Sequence, residues 1–302
     1  MSRHLTESEQ ESMGLQMEEG MREKELIVYR NMSKEEGKLL SDMSFIMDHY
    51  SQMDDEKGAV SLGGREELKE LFYACIHELL ELAGNHGFYG NLWHCYLANL
   101  LVNDENSYSR ACEVVGAVEG SINQAVLHDI VIFKEFFDFD FAPVVKLFGA
   151  ESWALIENYE SSNEESKVYN TRIRQRICDL AEQFCHDNTP QEMKETLTQF
   201  YKDYGVGKFG LHKAFRIVSG EDGAQIVPIT NIAHVHLDDL VGYESQKQKL
   251  IDNTEAFVHN RKANNCLSFR ITAPCSSSRI YQKNAGWNMQ RQLQTLPASW
   301  QT

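Results

Sequence analysis

Two spacings in this 302-residue chain could carry chemistry. The first gathers histidine and cysteine at close spacing: His94-Cys95, Cys185-His186 and the histidine-only run His234-Val235-His236. Imidazole nitrogen and thiolate sulfur are zinc ligands, and structural zinc sites pair such ligands at tight spacing in both halves of the site. None of these runs has a matching second pair, so the spacing argues against a metal centre. A Cys–His nucleophile pair needs two side chains that meet in space, which spacing alone does not establish. Cys75, Cys95 and Cys178 stand among apolar residues at helical spacing, where a free thiol packs as a small hydrophobe. The second spacing is Gly205, Gly207 and Gly210, a Gly-x-Gly-x-x-Gly run. A dinucleotide-binding loop of that form follows a strand and opens a helix. Here the run follows a helical pattern and precedes a strand pattern, so it reads as a helix stop and tight turn. Lys213 and Arg216 just beyond it read as solvated charges on a strand edge.

The elements that would position these residues are mostly helices. Leu39, Leu40, Met43, Ile46, Met47 and Tyr50 fall at three- and four-residue spacings, the signature of one helical face. Leu68, Leu71, Phe72, Cys75, Ile76, Leu79, Leu80 and Ala83 repeat it, and Gly84 with Asn85 is expected to end that helix. Leu92–Val102, Ala111–Val118 and Ile122–Phe137 read as further helices, the last with Ser121 as its N-cap. Thr189-Pro190-Gln191-Glu192 has the form of a capping box with proline in the first turn. From Tyr204 the pattern changes. Ala214–Val218 and Ala224–Ile229 alternate as short strands around the turn residues Ser219–Gly223. Tyr243–Val258 reads as an amphipathic helix with Leu250, Thr254 and Phe257 on its apolar face.

The expected organisation is mainly α: a disordered N-terminus over 1–22, a helical domain over 23–204 and a β-hairpin connector over 205–233. Residues 234–269 would begin an α/β domain and 270–302 form an irregular tail. Net charge is −16 and the pI is near 5.1, which disfavours binding to nucleic acid or anionic membranes. Seven cysteines without a Cys-x-x-Cys pair read as reduced thiols in a cytoplasmic protein. The N-terminus is too polar and acidic for a signal peptide, and the most apolar run, Ala125–Phe141, carries six ionisable residues, His128 among them.

The ordered segment from Gly205 to Leu267 is the most specific text in the chain. Gly-Val-Gly-Lys-Phe-Gly-Leu-His-Lys-Ala-Phe-Arg leads to Ile226-Val227-Pro228-Ile229 and then Leu237-Asp238-Asp239-Leu240-Val241-Gly242-Tyr243-Glu244. Leu250–Phe257 and Arg261-Lys262-Ala263-Asn264-Asn265-Cys266-Leu267 follow. This resembles an uncharacterised bacterial family of AAA-type P-loop ATPases, domain of unknown function family 815. The resemblance implies that Asp239, Leu240, Val241, Gly242 and Tyr243 form a backbone wall beside the adenine of ATP. Gly242 would let the backbone approach, and its apolar neighbours would offer a flat contact. Read without the resemblance, Leu240 and Val241 simply pack a linker onto a core. ATP and Mg²⁺ are implied for a full-length member, which as an AAA-type protein would form homo-oligomers.

After Asn-Asn-x-Leu the family pattern continues into Gly-x-x-Gly-x-Gly-Lys-Ser/Thr, whose backbone N–H groups, lysine and hydroxyl hold phosphates and magnesium. Here Ser268–Ser278 contains neither Gly nor Lys, and no acidic Walker B strand follows. Every Asp and Glu lies at or before Glu255, while Arg261, Lys262, Arg270, Arg279, Lys283 and Arg291 follow. The expectation is a chain that stops short of its phosphate loop through a shift of reading frame near Leu267, with residues from about 235 onward poorly packed and no ATP hydrolysis. Two other readings stand beside it. Residues 23–204 form a helical protein–protein interaction module that needs no nucleotide, or the basic tail with Trp287 and Trp300 stacks on single-stranded nucleic acid. The net charge weighs against the second.

Overall fold

The computed structural model describes residues 22–31, 34–50, 62–161, 166–212, 214–220, 223–229, 244–259, 261–264 and 280–282. The chain divides into two compact units, Met1–Gly207 and Lys208–Thr302. Among the described residues it is mainly helical, with one small antiparallel sheet.

Among its described residues the first unit begins with a 3-10 turn, Arg22–Glu25, and a strap that runs to Asn31. Helices α1 (Lys34–His49), α2 (Leu62–His86), α3 (Leu92–Asn103), α4 (Ser107–Val115) and α5 (Ile122–Asp138) follow. Next come α6 (Ala142–Phe148), α7 (Trp153–Glu157), α8 (Thr171–His186) and α9 (Pro190–Tyr204). Helix α3 is the centre of this unit: Leu92, Trp93 and every residue from Cys95 to Val102 are buried. A helix apolar on all sides must be surrounded, and α2, α5, α7 and α8 all pack on it. Helix α9 packs on α4, α5 and α8, and α1 on α2.

The periodicities over Leu39–Met47 and Leu68–Ala83 have their physical reason here. Leu39, Leu40, Met43, Ile46 and Met47 are buried on α1, and Leu68, Phe72, Cys75, Ile76, Leu79 and Ala83 on α2. Phe72 stacks on Trp153 at 5.1 Å between ring centres, and Trp153 meets Phe141 at 4.4 Å. Two of the largest polar side chains inside this core are bonded: the Trp93 indole donates to the Phe136 carbonyl at 3.0 Å and the Tyr201 hydroxyl to the Leu101 carbonyl at 2.6 Å.

Caps account for the helix ends, and three differ from expectation. Helix α2 does not end at Gly84. It runs to His86 and stops at Gly87, whose φ of 74° only glycine takes freely. A Cβ there would also press on Arg174 Cδ at 2.9 Å. Ser121 caps nothing with its side chain, because its backbone is already helical. The expected helix Ala111–Val118 begins earlier, at Ser107, because Asn106 and Ser109 form a capping box, and it stops at Val115 because Gly116 turns at φ 79°. The Thr189–Glu192 capping box forms as expected: Glu192 N donates to Thr189 Oγ1 at 3.2 Å and Thr189 N to Glu192 Oε2 at 3.1 Å.

The second unit holds most of α10 (Gly207–Leu211), strands β1 (Ala214–Gly220) and β2 (Gly223–Pro228), helix α11 (Glu244–Val258) and strand β3 (Ile280–Gln282). The sheet order is β2-β1-β3, antiparallel throughout. Phe215 pairs with Pro228 and Gly220 with Gly223, which leaves a two-residue hairpin loop. Of the segment 1–22 expected to be disordered, Arg22 begins the 3-10 turn; residues 1–21, the turn residues Glu221 and Asp222, and nearly all of the 270–302 tail lie outside the described residues.

Candidate functional site

The segment that carries the ordered motif begins where α9 ends. Gly205 closes α9 at φ 84°, and its N–H donates to the Tyr201 carbonyl at 2.9 Å. Gly207 follows at φ 63°, where a Cβ would collide with the Glu105 carboxylate. The run Gly205-x-Gly207-x-x-Gly210 is therefore a helix stop, as its context implies, but the turn after it winds into the short helix α10. Its glycines serve chain reversal and close packing, and the strand-to-helix geometry of a dinucleotide loop is absent here.

Beyond it, the Lys208 ammonium donates to the Ile226 carbonyl and so ties α10 to the hairpin. Phe209 meets Phe215 at 5.2 Å between ring centres. His212 is buried, and burial together with the nearby Lys208 charge holds its pKa down, at about 4. Arg216 is exposed, but not on a strand edge as expected: β1 is the central strand, and Arg216 pairs with Val227 on β2 and Ile280 on β3; Lys213 lies outside the described residues. Helix α11 forms over Glu244–Val258 as the sequence predicts, Tyr243 lying outside the described residues, and none of its described side chains is fully buried. Asn253 on α11 grips the returning chain with both ends of its amide. Its Nδ2 donates to the Asn264 carbonyl at 2.6 Å and its Oδ1 accepts Asn264 N–H at 2.8 Å. Asn264, the first residue of the Asn-Asn-x-Leu text, is thus fixed beside the helix that precedes it. Asp239, Leu240, Val241, Gly242 and Tyr243, the expected adenine wall, lie outside the described residues, as do His234 and His236.

The helical unit holds two constellations that spacing could not reveal. The first lies along the contact of α3 with α8. Cys95 and Cys178 are both buried, their sulfurs 3.7 Å apart. The bond to Cys178 and the surrounding burial push the Cys95 thiol up, and the same bond, in which Cys95 donates, holds the Cys178 thiol down. Farther along the same contact, Cys185 Sγ lies 3.0 Å from His94 Nδ1. The other ring nitrogen of His94 is 3.0 Å from the Phe137 carbonyl, which can only accept. Nε2 therefore carries the proton, and Nδ1 is the acceptor that faces the thiol. Burial lowers the His94 pKa, which keeps the ring neutral. Two runs that look unrelated in sequence, His94-Cys95 and Cys185-His186, are neighbours through one residue of each. Cys178 and Cys185 stand seven apart, on one face of α8, and that spacing is the only trace of the arrangement in the sequence. Among the described residues no group of three His, Cys, Asp or Glu could hold a metal ion.

The second constellation pins the N-terminal strap. Asp129 on α5 is fully buried and accepts three successive backbone N–H groups. Ile27 donates at 2.9 Å to Oδ1 and 3.0 Å to Oδ2, and Val28 and Tyr29 donate to Oδ2 at 2.7 and 2.9 Å. Asp104 takes the next donor, Asn31 N–H, at 2.9 Å. Burial raises the Asp104 pKa, and the bonds from Asn31 and Asn106 oppose that rise. Both carboxylates are occupied by main-chain donors, so they position the strap and offer nothing to a ligand.

Residues 210–281 match the model of a protein family of unknown function, DUF815. The match covers α10 from Gly210, the hairpin and α11, and it supports the family resemblance drawn from residues 205–267. It also continues beyond Leu267, to residue 281. No curated protein and no solved structure matches the chain. No helix among the described residues is long and apolar enough to cross a membrane.

Proposed function

We propose that residues 205–269 are the connector and the opening of an AAA-type nucleotide-binding domain, preceded by a helical unit that engages the protein on which the motor acts. The observation that carries this reading is the coincidence of two things in one segment. The family match over residues 210–281 begins at the last glycine of the Gly-rich run and covers the hairpin, Asp-Leu-Val-Gly-Tyr stretch, helix and Asn-Asn text in order. In this reading Asp239, Leu240, Val241, Gly242 and Tyr243 line the adenine, with Gly242 giving the backbone its close approach. Free cysteines at 75, 95, 112, 178 and 185 favour a reducing, cytoplasmic setting.

The residues present do not fit the phosphate and magnesium end of such a site. Nowhere in the 302 residues is there a Gly-x-x-Gly-x-Gly-Lys-Ser/Thr run to supply the lysine and hydroxyl. The chain as it stands therefore turns over no ATP. A longer form, read in the frame that restores the loop, hydrolyses ATP and assembles as a homo-oligomer. The test is steady-state phosphate release by both forms, with Gly242→Val in the longer one. The longer form should be active and the 302-residue chain silent, and the Gly242→Val variant should raise the KM for ATP about 10-fold, the effect of about 1.4 kcal/mol. A longer form without turnover, or Gly242→Val without effect on KM, contradicts the reading.

A second reading rests on the helical unit itself, which builds its own core around α3 and pins its own N-terminal strap. Such a unit suits a protein–protein interaction module that works without nucleotide. Full partner binding by a chain with no measurable affinity for an ATP analogue would favour it.

A further inference from the structure

We propose that Cys185, paired with His94, is a modifiable thiol that reacts with hydroperoxides, the imidazole Nδ1 accepting the thiol proton as sulfur attacks. This inference is independent of the nucleotide reading. Three observations carry it. Among the described cysteines, Cys75, Cys95, Cys112 and Cys178 are buried and Cys185 is exposed. Cys185 Sγ lies 3.0 Å from His94 Nδ1, within reach for proton transfer. The tautomer is fixed from the far side of the ring by the Phe137 carbonyl, 3.0 Å from Nε2, so the nitrogen facing the sulfur is the basic one. A nucleophile within hydrogen-bond reach of a base that a third group orients is the arrangement that activates thiols.

The charges around the pair set its resting state. Lys134 on α5 lowers the Cys185 pKa, while Asp138 on α5 and Glu182 on α8 raise it, and packing around the sulfur raises it most. Lys134 is itself bonded to Asp138 at 2.6 Å, which blunts its field. Around His94, Asp138 favours the imidazolium and Lys134 opposes it, with desolvation dominant. Cys185 also has the Ala181 carbonyl at 3.2 Å as an alternative acceptor. The pair therefore rests as neutral thiol and neutral imidazole, and the proton moves only as the reaction proceeds.

The step balances without a further reagent. Sulfur attacks the terminal oxygen of the hydroperoxide, a sulfur–oxygen bond forms and the oxygen–oxygen bond breaks. The departing alkoxide takes the proton held on Nδ1. The thiol becomes a sulfenic acid, oxidised by two electrons, and the hydroperoxide is reduced to an alcohol. The nearby Cys95–Cys178 pair is shielded by its burial.

The test is made on the full chain in two arms. In the first, cumene hydroperoxide is added with dimedone to trap sulfenic acid, and adducts are localised by fragment mass spectrometry. Adduct on Cys185 at least 10-fold above that on Cys95, Cys112 and Cys178 is expected. In the second, the alkylation rate of Cys185 by iodoacetamide is followed from pH 6.5 to 8.5. A solitary thiol below its pKa gains about 10-fold in rate per pH unit, whereas transfer within the pair keeps the profile shallow. Wild type should change less than 3-fold across the range, and His94→Gln should restore the steep slope. A steep profile in wild type, or no preference for Cys185 in trapping, overturns the proposal. The wild-type profile decides the matter even if His94→Gln fails to fold.

Discussion

Replacing Asp129 should release the N-terminal strap from the helical unit. Three consecutive backbone N–H groups, of Ile27, Val28 and Tyr29, end on this one buried carboxylate. Hydrogen bonds to a charged acceptor contribute about 1.5–3 kcal/mol each, so three would sum to about 5–9 kcal/mol if the strap stayed in place. It need not stay. Once the carboxylate is gone, residues 22–31 can lift off and hydrate their donors, and the cost is then capped at the free energy that seats the strap. That seat is mainly the burial of Leu26 and Tyr29, which are 3% and 0% exposed. Burial of two such side chains yields about 3–6 kcal/mol before the ordering entropy of the strap is subtracted. Asp129→Ala should therefore cost about 3–5 kcal/mol, the range seen when one partner of a buried charged network is removed. Asp129→Asn keeps the shape and one carbonyl oxygen, and should cost about half as much. Denaturant unfolding measures the loss, and hydrogen exchange should find amides 27–29 protected in wild type and fast in Asp129→Ala. An Asp129→Ala variant with an unchanged midpoint and slow amides at 27–29 would refute the reasoning.

Other consequences follow from the same kind of accounting. Asn106 caps α4 by accepting Tyr108 N–H and Ser109 N–H at 2.9 Å each and also donates to Asp104 at 3.1 Å. Asn106→Ala should cost about 2 kcal/mol, the upper end for a cap, and Thr189→Ala in the exposed box of α9 about 0.5–1, both read from denaturant midpoints. His212 is neutral in the fold, with a pKa near 4 against an ordinary 6.5. The unfolded chain takes up a proton first as pH falls, so the stability of the hairpin unit is complete above pH 6.5 and declines toward pH 4. The loss approaches about 3 kcal/mol at 1.36 kcal/mol per unit. Amide exchange over β1 and β2 should show that decline in wild type and a flatter one in His212→Phe, and equal slopes would contradict it.

Much of the helical unit was legible because its helices are amphipathic. The three- and four-residue spacing of Leu39–Met47 and of Leu68–Ala83 can be satisfied only by burying one face, and those faces are buried. Caps were legible where the motif is complete, as at Thr189–Glu192, and not where tertiary contacts decide. The end of α2 is one such place. Gly84 offers the same chemistry as Gly87, but Lys167 N and Val168 N donate to the Asn85 carbonyl, at 3.1 and 3.3 Å. That contact with a segment more than 80 residues away accompanies the continuation of the helix past Gly84 to His86. The start of α4 at Ser107 was hidden because Asn106 caps through Ser109, a weaker signal than Glu or Gln at that position. The hairpin was legible from its turn residues and alternation, since a two-residue loop fixes the register of both strands. The pairing of His94 with Cys185 was not legible. The two residues are 91 positions apart and meet only because α3 and α8 pack. For the proposed nucleotide site, the signal is the order of short motifs between Gly205 and Leu267, and no periodicity reports it.

The most direct test of the nucleotide reading is the DNA itself, sequenced from the codon of Asn264 through several hundred bases beyond the codon of Thr302. The account predicts that one corrected base restores Gly-x-x-Gly-x-Gly-Lys-Ser/Thr in frame, followed by a long open frame with an acidic Walker B strand. A confirmed single frame with no phosphate loop in any frame downstream would contradict it, and would leave the helical unit as the part whose binding partner explains the protein.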